Sequence, residues 1–128
     1  MTDVLDLAER LWNGEVTVET HHPVGGGAGG VVEVAEGVAF WHGFSNSTIA
    51  RTAAGLVMVD SGDPLLGGLL HEQVRGWQPD VPLHSAIYSH GHIDHVFGVG
   101  HFDEEAEQRG WTRPVVHAQE ALPARFDR

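Results

Sequence analysis

Two apolar segments and the stretch between them constrain the fold of this chain more than any other feature. GLVMVD (residues 55–60) is nearly continuous in apolar side chains, as expected of a strand buried on both faces, and LHSAIYS (residues 83–89) is a second apolar strand. Pro64 suits a first helical turn. The apolar residues that follow it recur at helical spacing: Leu65, Leu66, Leu69, Leu70 and Val74. The order strand, helix, strand predicts an α/β domain with its chemistry at the carboxyl ends of the strands.

The N-terminal residues predict a packing helix. Thr2 or Asp3 is suited to cap it, and Asn13-Gly14 is a stop signal. Its apolar residues recur at helical spacing: Val4, Leu5, Ala8, Leu11 and Trp12.

The region after this helix predicts a strand, a loop and a meander. EVTVET (residues 15–20) alternates like a strand. HHPVGGGAGG (residues 21–30) is typical of a flexible loop, and His21 and His22 are interpreted as a solvated pair rather than as metal ligands. From residue 31 onward, alternating segments separated by glycine-containing turns predict antiparallel strands.

Composition and charge limit the class of partner. The chain has 128 residues, enough for one domain with a core. Its 18 acidic residues against 7 basic ones, all arginine, give a formal charge of -11, which argues against nucleic acid or a membrane as partner. Cysteine is absent, so any metal must be held by His, Asp or Glu. No leader or spanning segment is recognisable, and we expect a cytoplasmic protein.

The second apolar strand runs directly into SHGHIDH, which holds three of the 10 histidines and an aspartate. His90 and His92 are two residues apart, so in an extended backbone their side chains point to the same side and can bind one ion. If the chain then turns toward a helix near Ile93, the side chains of Asp94 and His95 leave the backbone in directions about 100° apart. Both can then reach a neighbouring point. This spacing suits two adjacent metal ions.

A structural interpretation of the same residues is also open. A histidine-rich turn can be an exposed loop, or a cap in which Asp94 bonds backbone amides. The apolar segments on both sides, LHSAIYS and VFGVG, argue against a fully solvated tract and favour the metal site. Asp60, at the end of the first apolar strand, is equally open to a contact with the site and to a role as a turn cap.

SHGHIDH matches the His-x-His-x-Asp-His motif of the metallo-β-lactamase-fold superfamily, and VMVDSG resembles that family's earlier strand ending in Asp. SNSTIARTAAGLVMVDSGDP resembles the strand pair before it, and RPVVHAQEALPARFDR is similar to the strand and following segment of the alkylsulfatase-like branch. The resemblance covers residues 31–128. It implies an α/β protein with an αββα sandwich, of which these residues form about the N-terminal half. Residues 1–30 then precede it as a helix, strand and Gly-rich loop.

The resemblance also implies roles for individual residues. His90 and His92 would bind a first zinc ion. Asp94 and His95 would bind a second, and Asp94 would position the metal-bound water. Asp60 would be a buried carboxylate that orients the site. The family's nucleophile is a metal-bound hydroxide, because Zn2+ lowers the pKa of bound water toward ~7. The implied function is a metal-dependent hydrolase that acts on a small-molecule substrate with an ester-like, amide-like or sulfate-ester bond.

The motif departs from a complete site in the number of its ligands. A catalytic zinc usually has three protein ligands and one open position, whereas SHGHIDH supplies two per ion. The family completes its site with ligands downstream of the region that corresponds to Arg128. We therefore expect a second-half polypeptide or self-association. The chain would then be a truncated or cleaved piece, one of two chains, or a complete protein that pairs, since a half-sandwich exposes the inner apolar face of its sheet.

The other histidines and the tryptophans are interpreted as structural. The histidines are His42, His71, His84, His101 and His117. His101 begins HFDEEAEQRGW, which is expected to be a surface helix with solvated acidic side chains. Trp41 and Trp77 are expected in the core or at an interface.

Two other functions stay open at this point. The chain could be a non-catalytic metal-binding or interaction module that keeps four ligands and hydrolyses nothing alone. It could also be an iron-dependent redox enzyme of the same fold, because His and carboxylate ligands suit iron or manganese as well as zinc.

Overall fold

The computed structural model describes residues 4–17, 19–20 and 30–127. Six strands among these residues form one mixed sheet in the order β1-β2-β3-β4-β5-β6. The strands are β1 (Val31–Ala35), β2 (Val38–Trp41), β3 (Ser47–Thr52), β4 (Gly55–Val59), β5 (Leu83–Ile87) and β6 (Val115–His117). The helices are α1 (Val4–Trp12), α2 (Gly67–Trp77), α3 (Gly100–Arg109) and α4 (Leu122–Phe126).

The pairing of the strands confirms both the predicted meander and the predicted strand–helix–strand unit. Strands β1 to β4 pair antiparallel in sequence order. β4 then pairs in parallel with β5, and β5 in parallel with β6. α2 connects β4 to β5, and α3 connects β5 to β6. The carboxyl ends of the three parallel strands therefore meet at one edge of the sheet, where SHGHIDH follows β5.

Helices α2 and α3 contribute to the hydrophobic core on one face of the sheet. The core cluster consists of Trp41, Ile49, Leu56, Met58, Leu70, Val74, Leu83 and Phe102. α2 begins at Gly67, later than Pro64 predicts, and Leu65 is 91% exposed instead of lying on the apolar stripe. The reason is local, because the Asp63 side chain accepts the N–H groups of Leu65 and Leu66 at 2.6 and 2.8 Å and holds a turn before the helix.

The two tryptophans of this region lie in or against the core, as predicted. Trp41 is fully buried, and its indole N–H donates to Gln73 Oε1 at 2.7 Å. Trp77 packs against the core cluster at the end of α2 and donates to Glu33 Oε2 at 2.9 Å. Both indoles thus have an acceptor for their N–H group.

Glu105 on α3 corrects the expectation that the acidic side chains of this helix are solvated. Its side chain is buried, accepts a hydrogen bond from Arg75 Nε at 2.7 Å and forms an ion pair with Arg109, whose Nε lies 3.0 Å from Oε1. His71 Nε2 lies 3.0 Å from the same carboxylate. A buried anion requires such partners to offset its lost hydration. Because Arg75 and His71 belong to α2, these contacts tie the two helices together.

The opposite face of the sheet is largely uncovered in the part of the chain that the structure describes. Leu56 and Met58 of β4 are fully buried, but Val59 is 37% exposed, so the prediction that this strand is buried on both faces is wrong. Its neighbour across the parallel pairing, Ile87, is 39% exposed. α1 lies against this face at one side, where its apolar side chains line a shallow groove with Phe40.

The N-terminal segment confirms the predicted helix and corrects the predicted strand. Gly14 follows α1 with a φ of 73°, as expected of a glycine stop. The described residues between 15 and 20 form bends and a turn, in which the N–H and hydroxyl of Thr20 bond to the Thr17 carbonyl at 3.1 and 2.8 Å. Such a local bond competes with strand pairing. The predicted cap (Thr2 or Asp3) and the pair His21 and His22 lie outside the described residues.

None of the helices in the described ranges is both long enough and apolar enough to cross a lipid bilayer.

Candidate metal centre

SHGHIDH forms a loop at the carboxyl end of β5. Its one backbone turn is closed by the His95 N–H, which donates to the His92 carbonyl at 3.0 Å. The next helix, α3, begins only at Gly100, so the chain makes a turn at Ile93 without entering a helix within the motif. The single turn is nevertheless enough to bring the later residues of the motif back toward the earlier ones.

The four predicted ligands lie in two adjoining pairs. His90 Nε2 is 2.9 Å from His92 Nδ1, and His95 Nε2 is 3.3 Å from Asp94 Oδ2. The ring centroids of His90 and His95 are 4.1 Å apart, so the two pairs touch. Within the described residues, no three His, Asp or Glu side chains are already arranged around one point as metal ligands. The arrangement is therefore two pairs of donors and not a closed coordination shell.

The separations within each pair fit metal ligation. Bonds of about 2.0–2.2 Å from zinc to imidazole nitrogen or carboxylate oxygen place two tetrahedral ligands about 3.3 Å apart. The pair of Asp94 and His95 has this separation, at 3.3 Å, and the pair of His90 and His92 is slightly closer, at 2.9 Å. Imidazole and carboxylate are also ligand types that zinc accepts. Each pair can thus supply two ligands to one ion.

Asp60 lies directly behind these pairs. It follows β4 with a φ of 57°, a left-handed conformation that Asp tolerates better than most residues. Its carboxylate is buried and accepts the Ser89 N–H at 2.8 Å, the Ser89 hydroxyl at 2.7 Å and His95 Nδ1 at 2.8 Å. The partners of Asp60 therefore belong to the motif segment and connect β4 to the loop after β5.

These contacts orient two of the four imidazole and carboxylate groups. Because His95 donates from Nδ1 to Asp60, its Nε2 carries the lone pair and faces Asp94. The Ser89 hydroxyl donates to Asp60, so it accepts from His90 Nδ1 at 2.9 Å, which leaves the lone pair of the neutral His90 imidazole on Nε2, the nitrogen that faces His92. Metal-binding histidines are commonly oriented by such a second hydrogen bond.

Ser89 is the site residue that the sequence reasoning missed. It is the last residue of LHSAIYS and the first of SHGHIDH, where the motif itself assigns no role to a serine. The available signal was its position between a buried strand and the first histidine, where its N–H and hydroxyl can both reach a carboxylate at the end of the neighbouring strand.

Two neighbouring loops hold the backbone of the motif in place. The Ser45 hydroxyl, in the loop between β2 and β3, donates to the Asp94 carbonyl. The Ser61 N–H, in the loop after β4, donates to the His95 carbonyl at 2.9 Å. Gly98 lies so close to the Ser61 carbonyl that an added Cβ would be 1.7 Å from its oxygen. The position of the donor pairs is therefore set by packing against the loop that carries Asp60.

The remaining histidines have other surroundings. His71 pairs with Glu105, and its ring lies 6.3 Å from that of His101 on α3. His84 lies within β5, and its Nδ1 is 2.7 Å from the Ser85 hydroxyl. His117 is exposed at the end of β6.

The pKa of the Asp60 carboxyl lies below its ordinary value. Burial alone raises this pKa, but the hydrogen bonds from the Ser89 N–H and hydroxyl and from His95 favour the ionised form and outweigh burial. Since the folded-state pKa is below the unfolded one, ionised Asp60 stabilises the fold above the unfolded pKa of about 3.9. This stabilisation is lost as the pH falls through the folded-state pKa.

Asp60→Asn is expected to lower the free energy of unfolding at pH 7 by about 1–3 kcal/mol, because an amide places a donor against the Ser89 N–H. The difference from the wild type should shrink as the pH falls below about 4. Urea unfolding at a series of pH values measures both. Asp80→Asn is the control, since the Asp80 side chain is 87% exposed. A difference in the free energy of unfolding between Asp60→Asn and the wild type that stays constant down to acid pH would contradict the assigned role of the ionised carboxylate.

Residues 41–123 match the family model described as the Metallo-beta-lactamase superfamily. This match covers more than half of the chain, and the chain belongs to that superfamily. The superfamily has a metal-dependent hydrolase-type fold. No curated protein matches the chain significantly.

Solved structures with similar folds include two kinds of enzyme. One is the stereoselective inverting sec-alkylsulfatase Pisa1 from Pseudomonas sp., at 26% identity over 74% of this chain and 15% of that one, with a TM-score of 0.59. A metallo-beta-lactamase from Cronobacter sakazakii has 15% identity over 75% of this chain and 34% of its own, with a TM-score of 0.60. BJP-1, a subclass B3 metallo-beta-lactamase of Bradyrhizobium japonicum, has 16% identity over 60% and 30%, with a TM-score of 0.51.

These similarities confirm the predicted fold class. They also show how much of the fold is present, because this chain spans 15% of the length of the alkylsulfatase and 30% and 34% of the two metallo-beta-lactamases. The chain therefore covers only part of the proteins that it resembles.

Proposed function

We propose that this chain supplies part of the dinuclear metal site of a hydrolase. His90 and His92 bind one ion, and Asp94 and His95 bind the other. The observation that supports this assignment most is the arrangement of these donors in two touching pairs, at separations of 2.9 and 3.3 Å. Zinc fits a site of imidazole and carboxylate ligands, although iron and manganese accept the same groups.

Metal ions held by these residues would supply a water of lowered pKa as nucleophile and a positive charge that stabilises the developing anion. The residues of the chain have separate tasks. Asp60 accepts the Nδ1 proton of His95 and thereby keeps Nε2 directed at the ion. Ser89 does the same for His90. Asp94 adds a negative charge that offsets the charge of the ions, and its carboxylate can accept a hydrogen bond from the attacking water.

We further propose that the site is completed by residues outside this sequence, either a second half of the fold, in the same protein or in another polypeptide, or a second copy of this chain. The motif offers two ligands to each ion, one fewer than a catalytic zinc usually has. The sheet face opposite α2 and α3 carries partly exposed apolar residues, among them Val59 and Ile87. An apolar sheet face of this kind is a site of association. A small-molecule substrate and a cytoplasmic location remain predictions from the sequence.

A sulfate ester is the first substrate class to test among the three bond types that the sequence predicts. The sec-alkylsulfatase is the more similar in sequence of the two kinds of enzyme, at 26% identity. An anionic substrate is compatible with the formal charge of -11 only if positive charge is concentrated at the site, and bound metal ions provide it.

The function is tested by hydrolysis of nitrophenyl sulfate and nitrophenyl ester substrates by the native protein with whatever chain copurifies with it. We expect turnover that is lost on chelation, restored by zinc, and lowered about 100-fold or more in Asp94→Ala. Asp80→Ala should retain it. Hydrolysis that survives both chelation and Asp94→Ala would contradict the proposal. Stoichiometric zinc without any hydrolysis would favour a non-catalytic module, and iron with oxidant-dependent turnover would favour the redox alternative.

A further inference from the structure

A recess of about 440 Å³ opens directly beside the candidate metal centre. It is lined by Gly91, His92, Ile93, Phe97, Arg125 and Phe126. Its three large apolar side chains are unusually exposed, at 63% for Ile93, 48% for Phe97 and 43% for Phe126. Apolar side chains that cluster in a concave surface are typical of ligand sites, and the volume lies within the range of such sites.

Specific packing between the motif loop and α4 forms this recess. Arg125 Nε donates to the Gly91 carbonyl at 3.0 Å, and the rings of Phe97 and Phe126 lie 4.9 Å apart. A Cβ on Gly91 would be 2.8 Å from Cδ of Arg125, so a glycine here permits the close approach of α4. The walls are therefore held by contacts between two separate segments of the chain.

Phe97 has a backbone conformation that folding alone does not explain. Its φ is 76°, in the left-handed region that favours glycine and is strained for a bulky residue. About half of its side chain is exposed, so the ring gains little from burial in return. Strained residues of this kind cluster at ligand sites, where their side chains must be presented in one direction.

We propose that the recess binds an apolar alkyl or aryl group of the substrate. This inference rests on the proposed function, because it assigns a specificity to the same site. His92 is both a member of a donor pair and part of the recess wall. A substrate whose reacting group lies at the donor pairs therefore has the recess beside it. Ile93, Phe97 and Phe126 surround that position with apolar surface, and burial there favours a substrate with an apolar group over a smaller one.

The probes for the test are butanoate and octanoate, which share a carboxylate and differ only in chain length. Their dissociation constants are measured by calorimetry on the full chain in the presence of zinc, with metal content recorded for every sample. We expect octanoate to bind about tenfold or more tightly than butanoate, since each buried methylene contributes up to about fourfold. In Phe97→Gly this ratio of affinities should fall below about threefold. The unfolding midpoint of this variant should not drop, because glycine adopts the backbone conformation of residue 97 freely.

Two further variants complete the design. Ile93→Ser should also reduce the ratio, while Trp12→Ala, an 87% exposed aromatic on α1, should leave it unchanged. Equal binding of both probes by the wild type, or a preference for octanoate that persists in both recess variants, would overturn the proposal. The same experiment distinguishes failure of the proposed metal site from failure of the recess as a binding site. A protein that binds no metal but loses its octanoate preference in Phe97→Gly would refute the metal site and support the recess.

Discussion

Asp94→Ala is expected to weaken the binding of the second metal ion by about 100-fold or more and to leave the affinity for the first nearly unchanged. Asp94 is one of two donors in its pair, and even the outer hydrogen-bond partners of metal ligands are worth 10–100-fold in affinity. His92→Ala should give the reverse pattern, because His92 belongs to the other pair. Titration of the metal-stripped protein with zinc, followed by elemental analysis after dialysis, resolves the two steps.

Asp80→Ala is the matched control for this pair of variants. It removes an aspartate whose side chain is 87% exposed and that contacts Arg109 instead of a histidine. Two observations would contradict the assignment of two ions to two pairs: an unchanged metal content in Asp94→Ala, or an equal loss of both ions in Asp94→Ala and His92→Ala.

Gly98→Ala is expected to lower the free energy of unfolding by about 3 kcal/mol or more. Its Cβ would lie 1.7 Å from the oxygen and 2.8 Å from the carbon of the Ser61 carbonyl, both of them backbone atoms that can move only with the chain. Because the Ser61 N–H also holds the His95 carbonyl, the same displacement should weaken metal binding. Urea unfolding measures the first effect and zinc titration the second.

Gly100→Ala provides the comparison, two residues further along. An added Cβ at Gly100 meets nothing within 4 Å, and the residue is the first of α3. Alanine is a better helix former than glycine, so this variant should be at least as stable as the wild type. Equal stability of the two variants would mean that Gly98 is not the close contact between the loops.

The pattern of apolar residues was enough to predict the meander and the strand–helix–strand unit. GLVMVD and LHSAIYS could be predicted as strands because strands of this kind bury every second side chain or more. The burial of the second face could not be predicted, because it depends on what covers the sheet and not on the strand itself. Val59 is as apolar as Met58, and only the position of the helices makes one exposed and the other buried.

The candidate site was predictable where it depends on spacing and unpredictable where it depends on contacts between distant segments. His90, His92, Asp94 and His95 lie within one short motif, and the structure brings them together as two pairs. Ser89 has a weaker signal, because its partner, Asp60, follows another strand and lies 29 residues away in the sequence.

Glu105 shows the same limit outside the candidate site. Its sequence neighbours are acidic residues of a surface helix, and only the packing of α2 against α3 places Arg75 next to its carboxylate. Contacts between segments that are far apart in sequence leave no local pattern that could predict them.

The measurement that tests the central claim most directly is quantification of metal in the native purified protein, coupled to intact-mass analysis of the same sample under denaturing conditions. The account predicts about two metal ions per assembled site, together with a companion polypeptide or a second copy of the chain. A single 13.8 kDa species that binds no metal would contradict it, and the paired donors of SHGHIDH would then not form a metal site in this chain.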